Sequence, residues 1–384
     1  MKKLFIAFVV LSVFVSCSVF GQFNYQNAET DDSLRYTPAY PPHEVVHYDE
    51  PNEDGTPKNV VMFIGDGMSM SYVFAAYTAN RGDLYMFNFN NLGFQTTHSA
   101  DNYITDSAAS GTALATGQKT YGGAVGVDTD KVAIENIREK FENMGRATGL
   151  VSTSTITHAT PASFIAHQPS RNMYEAIAAD FLKTNIDVFI GGGYDQFATR
   201  EDGRNLISEL KDKGYQVLTD IDEVAKVKEG KLAGLIAPGH TAQAGSRRSD
   251  LLEVSVETAL NVLSNNENGF FLMVEGSQLD WAGHNNHTGY LVRETLDFDR
   301  AVGKALEFAA NNKETLVIVT SDHETGGFVV INGNKETGYV HGAFSSTNHT
   351  PEFVPVMAFG PGAKKFRGFY DNTDIPKKIM ELIE

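Results

Sequence analysis

The chain has 384 residues, 42% of them hydrophobic, and carries 48 Asp plus Glu against 31 Lys plus Arg, a formal charge of −17. That length can bury a sizeable core in one large α/β domain or two ordinary ones. The acidity argues against general nucleic-acid binding, which needs a cationic face, but leaves small anionic substrates open because bound metal ions reverse a local field.

The first residues read as an export signal. Lys2 and Lys3 precede an apolar run from Leu4 to Val15, broken only by Ser12. Val19-Phe20-Gly21 suits a cleavage site, which would remove residues 1–21 and leave Gln22 first. Cys17, the single cysteine, lies just past the apolar run. It opens a second route, cleavage before Cys17 and attachment of a lipid to its sulfur; an uncleaved anchor is the third. Cleavage after Gly21 leaves a mature protein with no cysteine, unable to form disulfides although exported. No later stretch is long and apolar enough to span a membrane. The expected location is periplasmic or secreted, either free or lipid-anchored through Cys17.

Residues 22–57 are polar, contain Pro38, Pro41 and Pro42 and show no periodicity. They read as an extended arm, with a disordered leader and an arm laid on a partner subunit both open. Asn59 to Ile64 is then a short apolar strand, closed by Gly65-Asp66-Gly67, with a helix over Ser69 to Ala79. Thr105 to Ser107 repeats the pattern: an extended run ends in polar residues, and Ser107 opens a helix running toward Gly117. A strand over Ala147 to Thr153 leads into Thr157-His158-Ala159-Thr160-Pro161. A helix over Met173 to Lys183 and a strand over Ile186 to Ile190 follow, before Gly191-Gly192-Gly193, which reads as a tight turn rather than a phosphate loop.

Gly203 to Lys213 is helical in composition, Leu232 to Ala237 a strand, and Asp250 to Leu263 a helix. Phe270 to Val274 is a buried strand ending at Glu275. Leu291 to Ala310 is a long helix, and Leu316 to Thr320 a strand ending at Asp322-His323. Phe328 to Ile331 and Val354 to Phe359 are further strands, and Ile375 to Ile383 is a final helix. Strands alternating with helices imply an α/β fold with a mostly parallel central sheet covered by helices on both faces. In such folds ligands bind outside the carboxyl ends of the strands, so acids placed after separate strands can converge.

Ser107 would place its hydroxyl at the positive end of a helix, beside free backbone N–H groups, where an anion is well held. In isolation such a serine would be an N-cap. The acids and histidines after other strands change that reading. Asp280 and His284 are four apart, so one helical turn puts both on one side, an oxygen and nitrogen pair of the zinc type, with Glu275 just before them. Asp322 and His323 are adjacent, and Gly326-Gly327 would allow the sharp turn that lets both serve as ligands. Asp66 reads as a ligand or a helix cap, and His349 alone says little. Together they supply ligands for two zinc-like ions and an oxygen-rich site for magnesium. Two such ions about 4 Å apart suit in-line displacement at phosphorus, with Ser107 as the metal-activated nucleophile.

On these motifs the chain resembles the alkaline phosphatases, in their short bacterial branch. The resemblance runs from about Lys58 to the C-terminus, carried by Asp106-Ser107-Ala108-Ala109-Ser110-Gly111-Thr112-Ala113, by Glu275 through His284 and by Thr320 through Gly327. It implies a single catalytic domain over residues 58–384 with an alkaline-phosphatase-like fold. It implies two Zn2+ and one Mg2+, small phosphate monoester substrates with broad tolerance, and a homodimer. Ser107 would become phosphorylated and then be released by water. Asp280, His284 and His349 would hold one zinc, Asp322, His323 and Asp66 the other, and Asp66, Thr160 and Glu275 the magnesium. Arg171 would fork onto two phosphate oxygens. Two positions depart from the best-known bacterial pattern: His158 stands where an aspartate is common, and Trp281 where a lysine is common. His158 is therefore a further candidate at the third metal site, either helping to bind there or bringing zinc in place of magnesium, and Trp281 should loosen the hold on phosphate. His43 and His47 lie in the arm, while His98, His167, His240, His287 and His341 lack partners at ligand spacing. A phosphodiesterase or sulfatase of the wider superfamily and a non-catalytic phosphate- or zinc-binding protein are the competing readings. Ser107 in its motif argues against all three.

Overall fold

A computed structural model describes residues 31–246 and 250–384. The signal or lipoprotein segment over 1–21, with Cys17, and the first part of the arm lie outside the described residues. Among those described, no helix is long and apolar enough to cross a membrane.

A ten-stranded sheet forms the centre. Its strands are β1 (Asn59–Gly65), β2 (Asn91–Thr96), β3 (Ala147–Thr155), β4 (Val188–Gly192), β5 (Gln216–Leu218), β6 (Leu232–Leu235), β7 (Phe270–Gly276), β8 (Thr315–Thr320), β9 (Val354–Phe359) and β10 (Gly368–Asp371). They lie in the order β10-β2-β9-β8-β1-β7-β3-β4-β6-β5, all parallel except β9, which is antiparallel to both neighbours.

Strand β1 is buried at all seven positions, as a central parallel strand requires. Its side chains alternate between two cores. Val61 and Phe63 pack with the helices Met70–Ala79, Leu251–Leu263 and Thr288–Asn312. Val60, Met62 and Ile64 pack with the helices Ser107–Thr116, Ile137–Asn143, Tyr174–Phe181 and Asp374–Ile383. Helices therefore cover both faces, as alternation in the sequence implies.

One expected element differs, and one expected strand lies outside the central sheet. Residues 97–106 form an irregular loop rather than a strand before Ser107. Exposed Tyr103 and Ile104 have no core to face, and the chain crosses the sheet end to deliver Ser107. The run from Phe328 forms a separate three-stranded antiparallel sheet, Arg35–Tyr36 with Tyr339–Phe344 and Phe328–Asn334. Strands β2 and β10, short and next to glycines, carry too little pattern to be read from sequence. The described part of the arm lies along its own chain. Arg35 and Tyr36 pair with His341 and Val340, His43 Nε2 meets Asp299 Oδ2 at 2.9 Å, and Glu50 accepts from Asn91 and from the Gly360 amide.

The sheet register decides where the functional groups meet. Ile64 is level with Thr320 on one side and Glu275 on the other, and Glu275 is level with Ser152. Because these four strands are adjacent and parallel, Asp66, Glu275, Asp322, His323 and the segment after β3 all emerge at one edge.

Candidate active site

Ser107 is the first residue of its helix, and Asp106, not Ser107, is the cap: its Oδ1 accepts from Ala109 N at 3.1 Å. The serine side chain is thus freed from the capping role and sits almost fully buried, with Oγ 3.3 Å from His323 Nε2. Ser110, one turn on, donates to the Asp322 carbonyl at 2.7 Å and ties the helix to the Asp322-His323 turn.

Around Ser107 stand two overlapping groups. His323 Nε2 lies 3.2 Å from Asp322 Oδ2 and 3.5 Å from Asp66 Oδ1. Asp280 Oδ1 lies 3.3 Å from His284 Nε2 and 3.5 Å from His349 Nε2, and those two nitrogens are 3.2 Å apart. His349 is brought in by a two-residue strand pair, Glu324–Thr325 against His349–Thr350, with Thr325 level with His349. Gly326 and Gly327 make the turn behind it at φ of 90° and 55°, where a Cβ would be strained.

The hydrogen bonds fix which histidine nitrogen faces inward. His284 Nδ1 meets the Thr347 carbonyl at 2.6 Å and His349 Nδ1 the Thr105 carbonyl at 2.8 Å; carbonyls only accept, so both Nδ1 atoms donate. Thr325 Oγ1 gives its proton to Asp280 Oδ1 at 2.6 Å and so accepts from His323 Nδ1 at 3.2 Å. In their neutral forms all three imidazoles therefore turn Nε2 and its lone pair toward the site, the tautomer a metal ligand needs; the hydrogen bond to Asp280 raises His284 to about 9, so a cation there must displace that proton.

A third group joins Asp66, His158 and Glu275, whose candidate ligand atoms all lie within 4.8 Å of one another. Thr160 Oγ1 is buried there too and has no hydrogen-bond partner. Nor have Asp66 Oδ1 and Oδ2, Asp322 Oδ2 or Glu275 Oε1. Burying several bare carboxylate oxygens is prohibitively costly without cations, so this donor set fits divalent metal ions. The strain shows in their acidity. Burial, then Asp322 and Asp280, hold Asp66 well above the usual carboxylate range, and burial, then Asp280, push Asp322 up to about 7. Burial, then His349, hold His323 well below the usual imidazole range, and burial with Arg171 pushes His158 down to about 3, so both stay neutral.

Arg171 completes the anion side. Its Nη1 donates to Asp106 Oδ2 at 3.0 Å, and its Nη2 lies 3.3 Å from His158 Nε2. Asp106 Oδ1 also accepts from the Gly123 amide at 3.0 Å, so one carboxylate caps the Ser107 helix and aims the guanidinium. Asp106 escaped the sequence reading as a functional residue, although an Asp before a run of small helix formers is a cap signal.

Trp281 is half-buried, edge-on to His158 at 6.1 Å and to His240 at 4.8 Å between ring centroids. His240, set aside on spacing, thus belongs to the site wall. Its Nδ1 accepts from the Thr155 amide at 3.1 Å, and the segment carrying it is held by Gly193 N–H bonds to the Ala237 and Gly239 carbonyls. The expected tight turn over Gly191-Gly192-Gly193 is in part strand: Gly191 and Gly192 end β4, where a Cβ on Gly192 would come within 2.1 Å of the Gly239 oxygen, and only Gly193 turns, at φ of 101°. The site therefore brings together every residue singled out from the sequence: Asp66, Ser107, His158, Thr160, Arg171, Glu275, Asp280, Trp281, His284, Asp322, His323 and His349.

Comparison with known proteins agrees with this chemistry. The alkaline phosphatase family profile matches residues 57–344. Alkaline phosphatase 4 of Bacillus subtilis (strain 168) is 37% identical over 413 aligned positions, covering 85% of this chain and 89% of that one. The solved alkaline phosphatase of the Antarctic bacterium TAB5 is 38% identical with a TM-score of 0.81, covering 85% of this chain and 98% of that one. A mutant of the TAB5 enzyme with a histidine replaced by aspartate, described as having Mg bound in its M3 site, gives 37% identity, a TM-score of 0.81 and the same coverage, 85% and 98%. The chain belongs to the alkaline phosphatase family and is a phosphoric monoester hydrolase of that fold.

Proposed function

We propose that the chain hydrolyses phosphate monoesters through a phosphoserine on Ser107, with two zinc ions and one magnesium ion as cofactors. The observation that carries this reading is the convergence on buried Ser107 of carboxylate oxygens without partners and three inward-facing histidine Nε2 atoms. Asp280, His284 and His349 would hold one zinc, Asp66, Asp322 and His323 the other, and Asp66, Thr160 and Glu275 the magnesium. Bound there, the ions would supply Lewis acidity to the serine oxygen, the leaving oxygen and water.

Ser107 Oγ attacks phosphorus, the bond to the leaving oxygen breaks, and the leaving alkoxide takes a proton. Water then cleaves the Ser107 phosphoester and releases phosphate. Arg171, aimed by Asp106, offers two parallel N–H bonds to phosphoryl oxygens, and the Ser107 helix adds its N-terminal amides. The roles assigned to these groups are all toward the phosphoryl group and none is toward the alcohol part, which is the basis for proposing broad tolerance. His158 adds a nitrogen donor beside Asp66 and Glu275, which favours zinc at the third site more than an all-oxygen set would. Magnesium in the M3 site of the histidine-to-aspartate TAB5 mutant is consistent with that sensitivity.

The reading is tested with a chromogenic phosphate monoester at alkaline pH, with and without chelator. Ser107→Ala should lower kcat by at least about 1,000-fold while metal content stays native. Native-level turnover in Ser107→Ala would exclude the phosphoserine route. We also propose export, on the strength of Lys2, Lys3 and the Leu4 to Val15 run, to the periplasm or medium, free or linked through Cys17. Mass spectrometry of the mature N-terminus decides between these forms. A homodimer is proposed as well. Exposed Phe74, Phe87, Leu92, Phe353 and Phe369 support it, and light scattering after size exclusion tests it.

A further inference from the structure

Glu275 ends strand β7 fully buried, and its two carboxylate oxygens have unlike surroundings. Oε2 accepts from Ser152 Oγ and from Ser277 Oγ, both at 2.6 Å, with Ser154 Oγ farther off at 3.5 Å. Oε1 is buried and has no hydrogen-bond partner. The proton direction follows from the neighbours. Ser152 Oγ accepts from the Ser154 amide at 3.0 Å, so its own proton is free for Glu275. The Ser277 amide donates to Thr153 Oγ1 at 2.9 Å, which fixes where the Ser277 side chain starts. A carboxylate oxygen has two lone pairs, and two short charge-assisted bonds occupy both. What remains for the Asp66 and His158 side of the site is Oε1.

We propose that Ser152 and Ser277 are positioning residues that restrict Glu275 to ligation through one oxygen, and thereby select a small cation over a large one at the third site. This rests on the three-cation reading above. Mg2+ takes single oxygens at about 2.0–2.1 Å in a strict octahedron, whereas Ca2+ takes six to eight oxygens at about 2.3–2.6 Å and readily uses both oxygens of a carboxylate. A carboxylate with one oxygen tied off cannot rotate to offer both. The two hydroxyls are rigid because the sheet holds them: Ser152 lies within β3, level with Glu275, and Ser277 follows β7 directly. They stand 3.0 Å apart, spanning Oε2 from two strands.

The test uses the full-length protein, native and as Ser152→Ala, Ser277→Ala and the double variant, with Glu275→Gln as the reference for loss of the site. Each is loaded with two equivalents of zinc and titrated with Mg2+ alone and Ca2+ alone by calorimetry. Elemental analysis counts ions per chain, and thermal melting checks the fold. The double variant should bind Mg2+ about 10–100-fold more weakly, the usual effect of losing groups that orient a ligand. Its Ca2+ to Mg2+ affinity ratio should rise at least about tenfold, with each single variant shifted the same way by a smaller factor. If the double variant does not fold, the single variants carry the comparison. A ratio within about twofold of native in the folded variants overturns the proposal. A native protein that takes up no third ion, and matches Glu275→Gln in ion count, overturns the three-cation reading and this proposal with it; the ion count tells the two failures apart.

Discussion

Replacing Asp106 by Asn separates two jobs held by one carboxylate. Oδ1 accepts from the amides of Ala109 and Gly123, at 3.1 and 3.0 Å, and an Asn oxygen can do the same. Oδ2 accepts from Arg171 Nη1 at 3.0 Å, and here Asn would present an NH2 group to a guanidinium that can only donate. The cap is therefore kept to within a few tenths of a kcal/mol, while a hydrogen bond between charged groups is lost, worth about 1.5–3 kcal/mol. Both side chains are about three-quarters buried, so solvent screening removes only part of that. Arg171 would no longer be preset for phosphate. If roughly half of the loss appears in phosphate binding, about 0.75–1.5 kcal/mol, the inhibition constant for inorganic phosphate rises about 4–12-fold. The assay is competitive inhibition by phosphate at alkaline pH, alongside a thermal melt. An inhibition constant within twofold of native, with the melt unchanged, would refute the claim that Asp106 aims the arginine.

Three further outcomes are expected. Trp281→Lys adds a cation where the indole stands beside His158, which Arg171 contacts, so phosphate should inhibit this variant more tightly, by about 3–10-fold; tighter inhibition in the native enzyme would refute a loosened product site. Burial, then Asp297, pushes the Glu294 carboxyl up to about 8, and Arg293 and Arg300 offset only part of this. A carboxyl raised above its unfolded value stabilises the fold only while protonated, so this stability is present below about pH 4.5 and lost as pH rises through about 8. Glu294→Gln keeps the acceptor for the Ala244 amide and should melt several degrees above native near pH 9 but not near pH 5; equal gains at both would show that its charge is not the cause. Removing metal ions should cost on the order of 4 kcal/mol per ion, roughly 5 °C each in a chain of this length, if each ion is present at about 1,000 times its dissociation constant. An unshifted melt after exhaustive chelation would count against the buried carboxylates as ligands.

Local sequence carried much of this molecule. Buried runs such as Val60 to Ile64 and Phe270 to Val274 identify central parallel strands, because a strand covered on both faces cannot alternate with polar residues. Asp280 and His284 share a helix side by spacing alone, and Asp322-His323 needs only the glycine turn that follows. Contacts set by long-range pairing were out of reach. His349 joins the site because Thr325 pairs with it across two short strands. Asp106 meets Arg171 across 65 residues, and His240 meets Trp281 because a glycine turn after another strand clamps its loop. The one-sided bonding of Glu275 arises only when β3 and β7 lie side by side in register. The sequence by itself determined which chemical groups stand at the ends of which strands. Which of them touch, and which proton faces which lone pair, was decided by the strand order and register, since hydrogen bonds and metal ligation act over about 3 Å and a shift of one residue along a strand moves a side chain by about that much and to the opposite face.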